Sequence, residues 1–481
     1  MRSDFLEQQL EKETQHIRPM PISIALMISA FIGLFSETAL NMAFTNIMSD
    51  FHIEPSTVQW LTTGYLLVLG ILVPVSALLL QWYTTRQLFL ASLAFSVIGM
   101  LVGGLSGNFE MLMFARVIQA IGTGLLLPLM TNVILIIFPP HKRGSAMGMM
   151  GLVIMFAPAL GPTLSGLIVD SLGWQAIFWI CLPLLLFAMV FGYIYMQNVS
   201  VITKPKIDIL SIILSTIGFG GIVFGFSNAG EGAGAWGHPN VIVPLVIGVI
   251  GLILFSIRQL KMGQPMLNLR VFKFSMFTMG VLMVFIGMML ILSASILLPM
   301  YLKGGLLLPA FTAGLVLLPG GIINGFMSPV TGRLFDRFGP KYLVIPGFVI
   351  TTIMTFLFSR VTADTTEFYV IILHSCLFIG VAMLMMPAQT NGLNELPREL
   401  YPDGSAVMNT LQQIAGAIGT AIAISIMAAG QNSFMNSAAN PANPSLIPEA
   451  LTAGVQNAFL FAFAASVIGL VLAFFIKRID V

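Results

Sequence analysis

Charge is what this chain has least of. Only 8% of its 481 residues are Asp, Glu, Lys or Arg, while 57% are apolar; a soluble domain carries roughly 25% charged residues. A water-soluble core cannot hide that much apolar surface, so a soluble fold is excluded and an integral membrane protein is expected. The net charge of +2 gives no footprint for nucleic acid. The two cysteines, Cys181 and Cys376, both fall inside apolar segments, which excludes a disulfide framework and leaves no metal-ligand spacing. No G-x-x-x-x-G-K-[ST] sequence occurs, so ATP is not expected as the direct energy source. No metal or organic cofactor is expected, and no enzymatic activity. The N-terminal residues mix acids and bases, and the first apolar run lacks a small-residue cleavage site. Residues 1–20 are therefore expected to be a cytoplasmic tail and the run after them a permanent span.

What the chain has in abundance is long apolar runs. A helix needs about 20 apolar residues to cross a bilayer. By that measure fourteen spans are expected, near 21–46, 58–81, 87–106, 111–137, 145–168, 175–197, 208–228, 240–260, 274–299, 310–331, 342–360, 367–391, 404–429 and 454–476. Cytoplasmic loops concentrate Lys and Arg. With both ends inside, 18 of the 21 basic residues fall on the inner side; Lys303 and Arg360 fall outside, and Arg116 lies within a span. A wrong count would scramble this alternation. The expectation is a multi-pass protein of the cell membrane with both termini cytoplasmic.

An internal repeat divides the chain. Pro74 and Arg86 match Pro329 and Lys341 at an offset of 255. Pro128, Thr131 and Asn132 match Pro387, Thr390 and Asn391 at 259, and Gly144-Ser145-Ala146 matches Gly404-Ser405-Ala406 at 260. Repeats of this kind mark transporters. The fold expected is all-α, with two six-helix bundles and an inserted two-helix hairpin. The first bundle covers 21–200, a linker with two extra spans covers 201–265, and the second bundle with a short cytoplasmic tail covers 266–481. Lys204-Pro205-Lys206 reads as the hinge, and an Asn/Ala/Pro/Ser-rich outer loop is expected near 430–453.

Several motifs resemble the major facilitator superfamily, specifically its 14-helix drug:proton antiporter family of the EmrB/QacA type. GRLFDRFGPK at 332–341 resembles the family's loop signature, with Gly332, Asp336, Arg337, Gly339 and Lys341 in register. FARVIQAIGTG at 114–124 resembles the fourth-helix motif, with Arg116 and Gln119 in place and Ala120 where a glycine is usual. GPTLSG at 161–166 resembles the fifth-helix antiporter motif through Gly161, Pro162 and Gly166, and SETALNMAF at 36–44 resembles the first-helix motif through Glu37 and Asn41. The first-half loop, ALLLQWYTTRQ at 77–87, departs from the pattern. Ala77 stands for the glycine and Gln81 for the aspartate, and only Arg86 keeps its charge. The resemblance implies a proton-driven exporter with its cytoplasmic gate resting on the second half.

Glu37 is the one acidic residue well inside a span, within roughly 5 Å of the midplane at 1.5 Å per residue. Burial raises a carboxyl pKa and a nearby cation lowers it, so a group balanced between them can load and release a proton. Arg116, at a similar depth, is its expected partner in one conformation; the bland alternative is that it caps backbone carbonyls. Gly161, Pro162 and Gly166 are expected to bend or tighten a helix crossing, and Asp336 with Arg337 and Lys341 to form a gate latch. Asn41, Gln119, Asn132, Asn324, Asn409, Gln412 and Gln413 are candidate cavity residues, with helix–helix glue as the alternative. The function expected is export of amphipathic drugs or toxic compounds in exchange for protons, by rocking around a midplane site. A single buried acid suits neutral, zwitterionic or monocationic cargo. Export of one endogenous metabolite or lipid is the alternative, and uptake by symport a lesser one. The partners expected are small amphipathic molecules, protons and the bilayer, with the chain acting as a monomer.

Overall fold

Away from water every backbone N–H and C=O must find a partner within its own segment, so long uncharged apolar runs become helices. The structure, a computed structural model, describes residues 19–53, 55–200, 202, 204, 208–229, 235–263, 265–437 and 446–479. The expected tail over 1–18, and Pro205 and Lys206 of the expected hinge, lie outside the described residues. Among the described residues every regular element is helical. The first half holds α1 (Pro19–Ala39), α2 (Phe44–Phe51), α3 (Pro55–Trp82), α4 (Thr85–Gly104), α5 (Phe109–Ile137), α6 (Pro140–Leu172) and α7 (Gln175–Tyr195). A hairpin of α8 (Ile209–Ala229) and α9 (Pro239–Lys261) follows. The second half holds α10 (Ser275–Met300), α11 (Ala310–Phe338), α12 (Lys341–Phe358), α13 (Glu367–Asn394), α14 (Tyr401–Ser437) and α15 (Ile447–Ala473).

All of these except α2 have 18 residues or more. Among the described residues twelve helices are long and apolar enough to cross a membrane, and a thirteenth is added when the bent α3 counts as one span. The remaining long helix, α6, has 33 residues and occupies the chain position of the fifth expected span. α3 bends by 55° between Leu72 and Val75. Pro74 falls within this stretch of the chain, and a proline has no backbone N–H to give to the helix.

Two expectations need correcting. The first span is not one helix over 21–46: α1 stops at Ala39, a 3-10 turn covers Leu40–Ala43, and α2 resumes at Phe44. Apolarity continues through the break, so hydropathy does not register it. The outer loop is also shorter than 430–453, because α14 stays helical to Ser437 and α15 begins at Ile447.

The halves meet in a crossed pattern. α3 of the first half packs on α14 of the second, and α6 of the first packs on α11 of the second. The second and fifth spans of each half thus cross the fifth and second of the other, as the sequence repeat requires. The α6–α11 crossing is a backbone contact. A side chain at Gly332 would collide with the Gly144 carbonyl, and one at Gly148 with the Ser328 carbonyl. Small residues permit this approach where no aqueous hydrophobic effect drives helices together.

α8 packs on α3 and also on α14, so the inserted hairpin touches both halves, while α9 packs mainly on α8. Ile242, Val246, Ile250 and Ile253 on α9 are exposed, the composition of a lipid-facing surface. Arg258 clamps the hairpin by donating to both Asp208 carboxylate oxygens, Nε at 2.6 Å and Nη2 at 2.9 Å. Those bonds hold the Asp208 carboxyl down at about 2. The stability this pair contributes is present above the ordinary aspartate range and is lost only as pH falls through about 2, so the clamp stays charged at physiological pH.

Candidate functional site

Where α1 ends, its last carbonyls have no partner within the helix. Arg116, fully buried on α5, supplies one. Its Nη1 donates to Ser36 O and its Nη2 to Glu37 O, each at 3.4 Å; Nη1 also reaches Gln119 Oε1 at 3.1 Å, and Nε reaches Leu61 O at 3.2 Å. The guanidinium lies over the Tyr65 ring, 4.3 Å from its centroid, and Tyr65 Oη lies 2.7 Å from Thr123 Oγ1. Three helices, α1, α3 and α5, therefore converge on one cation at the helix break. A cation at a helix C-terminus also faces the negative end of the macrodipole.

Glu37 belongs to this cluster through its backbone, and its side chain is half-buried. In this conformation its carboxylate makes no ion pair with Arg116; the ion pair among the described residues is Asp208–Arg258. The arginine is thus engaged by carbonyls and by Gln119 rather than by the carboxyl. Gln119 completes the group by donating to Met100 Sδ at 3.3 Å. Gly161 of α6 packs on the same turn of α1, where a Cβ would collide with Thr38 Oγ1, the residue after Glu37. Asn41 lies in the 3-10 turn after α1, and Pro162 and Gly166 lie on α6, but the surroundings of their side chains fall outside the described part of the molecule.

Lysine cannot reproduce the fork of Arg116. Arg116→Lys is expected to lower the thermal unfolding midpoint in detergent, through loss of about 1–3 kcal/mol. An unchanged midpoint would mean that the carbonyl cap contributes nothing.

The remaining polar candidates divide by helix. Asn132 on α5 is buried, and neither atom of its amide has a partner; Asn324 Oδ1 on α11 is likewise unpartnered among the described residues. Asn409 on α14 donates to Ser405 O at 2.7 Å and reaches Thr131 Oγ1 of α5 at 3.5 Å, which links the halves. Gln412 donates to Gln389 Oε1 at 3.4 Å. The structure places Gln119 in the Arg116 cluster and Asn132, Asn324, Asn409 and Gln412 outside it.

At the basic-loop face, Asp336 near the end of α11 accepts three hydrogen bonds from α6 in the other half. Gly144 N and Ser145 N each lie at 2.8 Å, and Ser145 Oγ at 2.6 Å. Arg337 is exposed and stacks on Phe338, 5.1 Å from its centroid; Lys341 is exposed. Gly339 ends α11 at φ +81°, a left-handed conformation that favours glycine. Arg143, read from the sequence only as a loop charge, is a second tie. It is buried, donates to Leu135 O and Phe138 O in its own half and to Asn394 Oδ1 of α13 at 3.0 Å, and lies over the Tyr401 ring. Tyr65 also escaped the sequence reading; the available signal was a phenol inside an apolar run, where its hydroxyl must find a partner.

The degenerate first-half loop is bound differently. Thr84 and Gln87 form a capping box at the start of α4, and Arg86 donates to Tyr193 O at 2.7 Å and stacks on that ring. Its charge is used within the first half, so the ties across the halves at this face come from Asp336 and Arg143.

A model described as Major Facilitator Superfamily matches residues 26–420. The chain is 68% identical over 470 residues to the lincomycin resistance protein LmrB of Bacillus subtilis (strain 168), covering 98% of each chain. It is 59% identical to LmrB of Listeria monocytogenes serovar 1/2a, covering 96% of this chain and 98% of that one. It is 28% identical to the multidrug export protein EmrB of Haemophilus influenzae, covering 83% and 79%. Among solved structures, the human organic anion transporter MFSD10 matches with a TM-score of 0.66 at 13% identity, over 95% of this chain and 99% of that one. The proton:xylose symporter XylE matches with a TM-score of 0.65 at 14% identity, over 96% of each chain.

Proposed function

Because the chain belongs to the Major Facilitator Superfamily, we propose that it exports amphipathic antibiotics, lincosamides first among them, in exchange for protons across the cell membrane. The observation that carries this reading is near-complete alignment, at high identity, with proteins named for lincomycin resistance. The geometry supports it in three ways. Glu37 is a single membrane-embedded carboxyl beside a cation that holds the end of its helix. Asp336 and Arg143 tie the halves together at the basic-loop face, which the positive-inside rule assigns to the cytoplasm; this is an arrangement closed to the cytoplasm. Asn132 and Asn324 bring buried amide atoms without partners, and such groups in a native interior call for a ligand or solvent partner. Both termini are then cytoplasmic, α6 is the fourteenth span, and the proton gradient is the energy source.

The cycle follows from these parts. Outward-facing, Glu37 takes a proton and the substrate leaves. The halves then rock, Asp336 releases α6, and substrate entering from the inner side accompanies loss of the proton to the cytoplasm. Proteoliposomes with an acidic lumen, holding the transporter with its cytoplasmic face outward, are expected to accumulate lincomycin, and an ionophore that collapses the gradient to abolish the accumulation. Accumulation that persists without the gradient would sink proton coupling. Failure with lincomycin, alongside uptake of a fraction from cell extract, would move the cargo to a cellular metabolite.

A further inference from the structure

The hairpin of α8 and α9 has no part in the cycle above, yet it builds a cavity. Gln259, buried on α9, donates to Ser211 Oγ of α8 and accepts from Met266 N and Leu267 N. The chain after α9 is thereby folded back beneath the hairpin. Asp403 at the start of α14 accepts from Asn268 N at 2.7 Å and pins the same segment to the second half. The result is a cavity of about 500 Å³ walled by α8, α9, the 267–273 segment and α14, within the roughly 300–1,000 Å³ of ligand sites.

Its chemistry is divided. The walls include Phe219, Phe255 and Leu260, while Arg270 and Lys273 belong to the same cavity on the 3-10 turn Leu269–Lys273. Both cations are exposed, and neither side chain has an ion-pair partner among the described residues. Arg258, by contrast, is taken by Asp208. Within the apolar part, Thr410 of α14 is buried and its hydroxyl has no partner. Leu260 is 55% exposed and Phe272 39%, so the cavity opens sideways at the level of the last turn of α9, the end of an apolar span that carries Arg258 and Lys261.

We propose that this cavity binds an anionic glycerophospholipid of the leaflet on the basic-loop side, one acyl chain among Phe219, Phe255 and Leu260 and its phosphate at Arg270 and Lys273. Basic pockets between membrane helices recognise such headgroups. A cationic drug would be repelled at the mouth, and a small soluble anion would leave the apolar wall unused. The inference does not depend on the transport reading. It gives the inserted hairpin a role: a lipid seated there touches α14 one residue from Asn409, which links the two halves.

The test uses the full chain in nanodiscs with phosphatidylglycerol carrying a diazirine on one acyl chain, and with phosphatidylcholine carrying the same group. Cross-links are mapped by peptide mass. Wild type is expected to be labelled by phosphatidylglycerol within 252–260 and 407–411, and Arg270→Ala/Lys273→Ala to lower that labelling roughly tenfold or more. Ser256→Trp, which fills the cavity and leaves both cations in place, is expected to lose the same label. Monodispersity and an unchanged helical spectrum control for folding. Equal labelling by the two lipids would overturn the proposal, as would labelling that survives either variant. Competition by soluble glycerophosphate as effective as that by the lipid would reduce the site to a bare phosphate contact and equally overturn it.

Discussion

Glu37→Gln is expected to bring gradient-driven lincomycin accumulation down to the level of empty vesicles while leaving exchange of preloaded lincomycin for external lincomycin intact. Glutamine keeps the volume and much of the hydrogen bonding of glutamate but carries no exchangeable proton. No hydrogen bond of the Arg116 network uses the Glu37 carboxylate, because the arginine holds the backbone carbonyls of Ser36 and Glu37. The variant therefore keeps the α1 cap and separates proton carriage from packing. Counterflow reports substrate binding and the rocking motion without needing a proton, so its survival shows that the protein is folded and moving. Coupling that persists at wild-type level would make Glu37 structural and move the proton site elsewhere. Loss of both activities would place Glu37 in the machinery of movement itself.

The proximity of Glu37 to Arg116 was legible in the sequence because depth along a helix is a count of residues, and two charges at similar depth in one half have few places to go. The form of their contact was not. Whether an arginine meets a carboxylate or a carbonyl depends on where helix α1 breaks, and Leu40–Ala43 is as apolar as its flanks. Asp336 was legible through the resemblance of GRLFDRFGPK to a family loop signature, which puts it at the end of a span. Its partners, Gly144 and Ser145, lie 192 and 191 residues away; only the crossing of α6 on α11 brings them together. Arg143 was hidden for a related reason: it follows Lys142 in a loop of the expected sign, and nothing local distinguishes a solvated cation from one buried against Asn394 and Tyr401. Gln259 and Asp403 build the hairpin cavity by accepting backbone N–H groups of an irregular segment, a role that hydropathy and motif spacing do not register.

Asp336→Asn is expected to open the basic-loop face. In the native arrangement both carboxylate oxygens accept from α6, one from Gly144 N and the other from Ser145 N and its hydroxyl. Bonds to an ionised acceptor are the stronger kind. An asparagine turns one of the two positions into a donor that faces a donor, so at least one bond is lost and the other weakens. The group is partly exposed, and screening reduces the effect, which leaves about 2 kcal/mol, or a roughly thirtyfold shift toward the state open at this face. The α6–α11 crossing provides a reporter. Ser328 is buried where Gly148 meets α11, so Ser328→Cys is expected to resist a membrane-impermeant maleimide applied from the basic-loop side in otherwise wild-type protein and to react quickly in the Asp336→Asn background. The same background should slow net export, because a face that no longer closes lets the proton gradient run down without cargo. Gln81 occupies the corresponding place in the first half, where Arg86 is tied to Tyr193 of its own half, so no second carboxylate stands in reserve at that position. Unchanged labelling would mean that backbone packing at Gly144, Gly148 and Gly332 holds the face shut and that Asp336 only decorates it; Gly148→Leu, which forces the same crossing apart, would then raise labelling where Asp336→Asn had not.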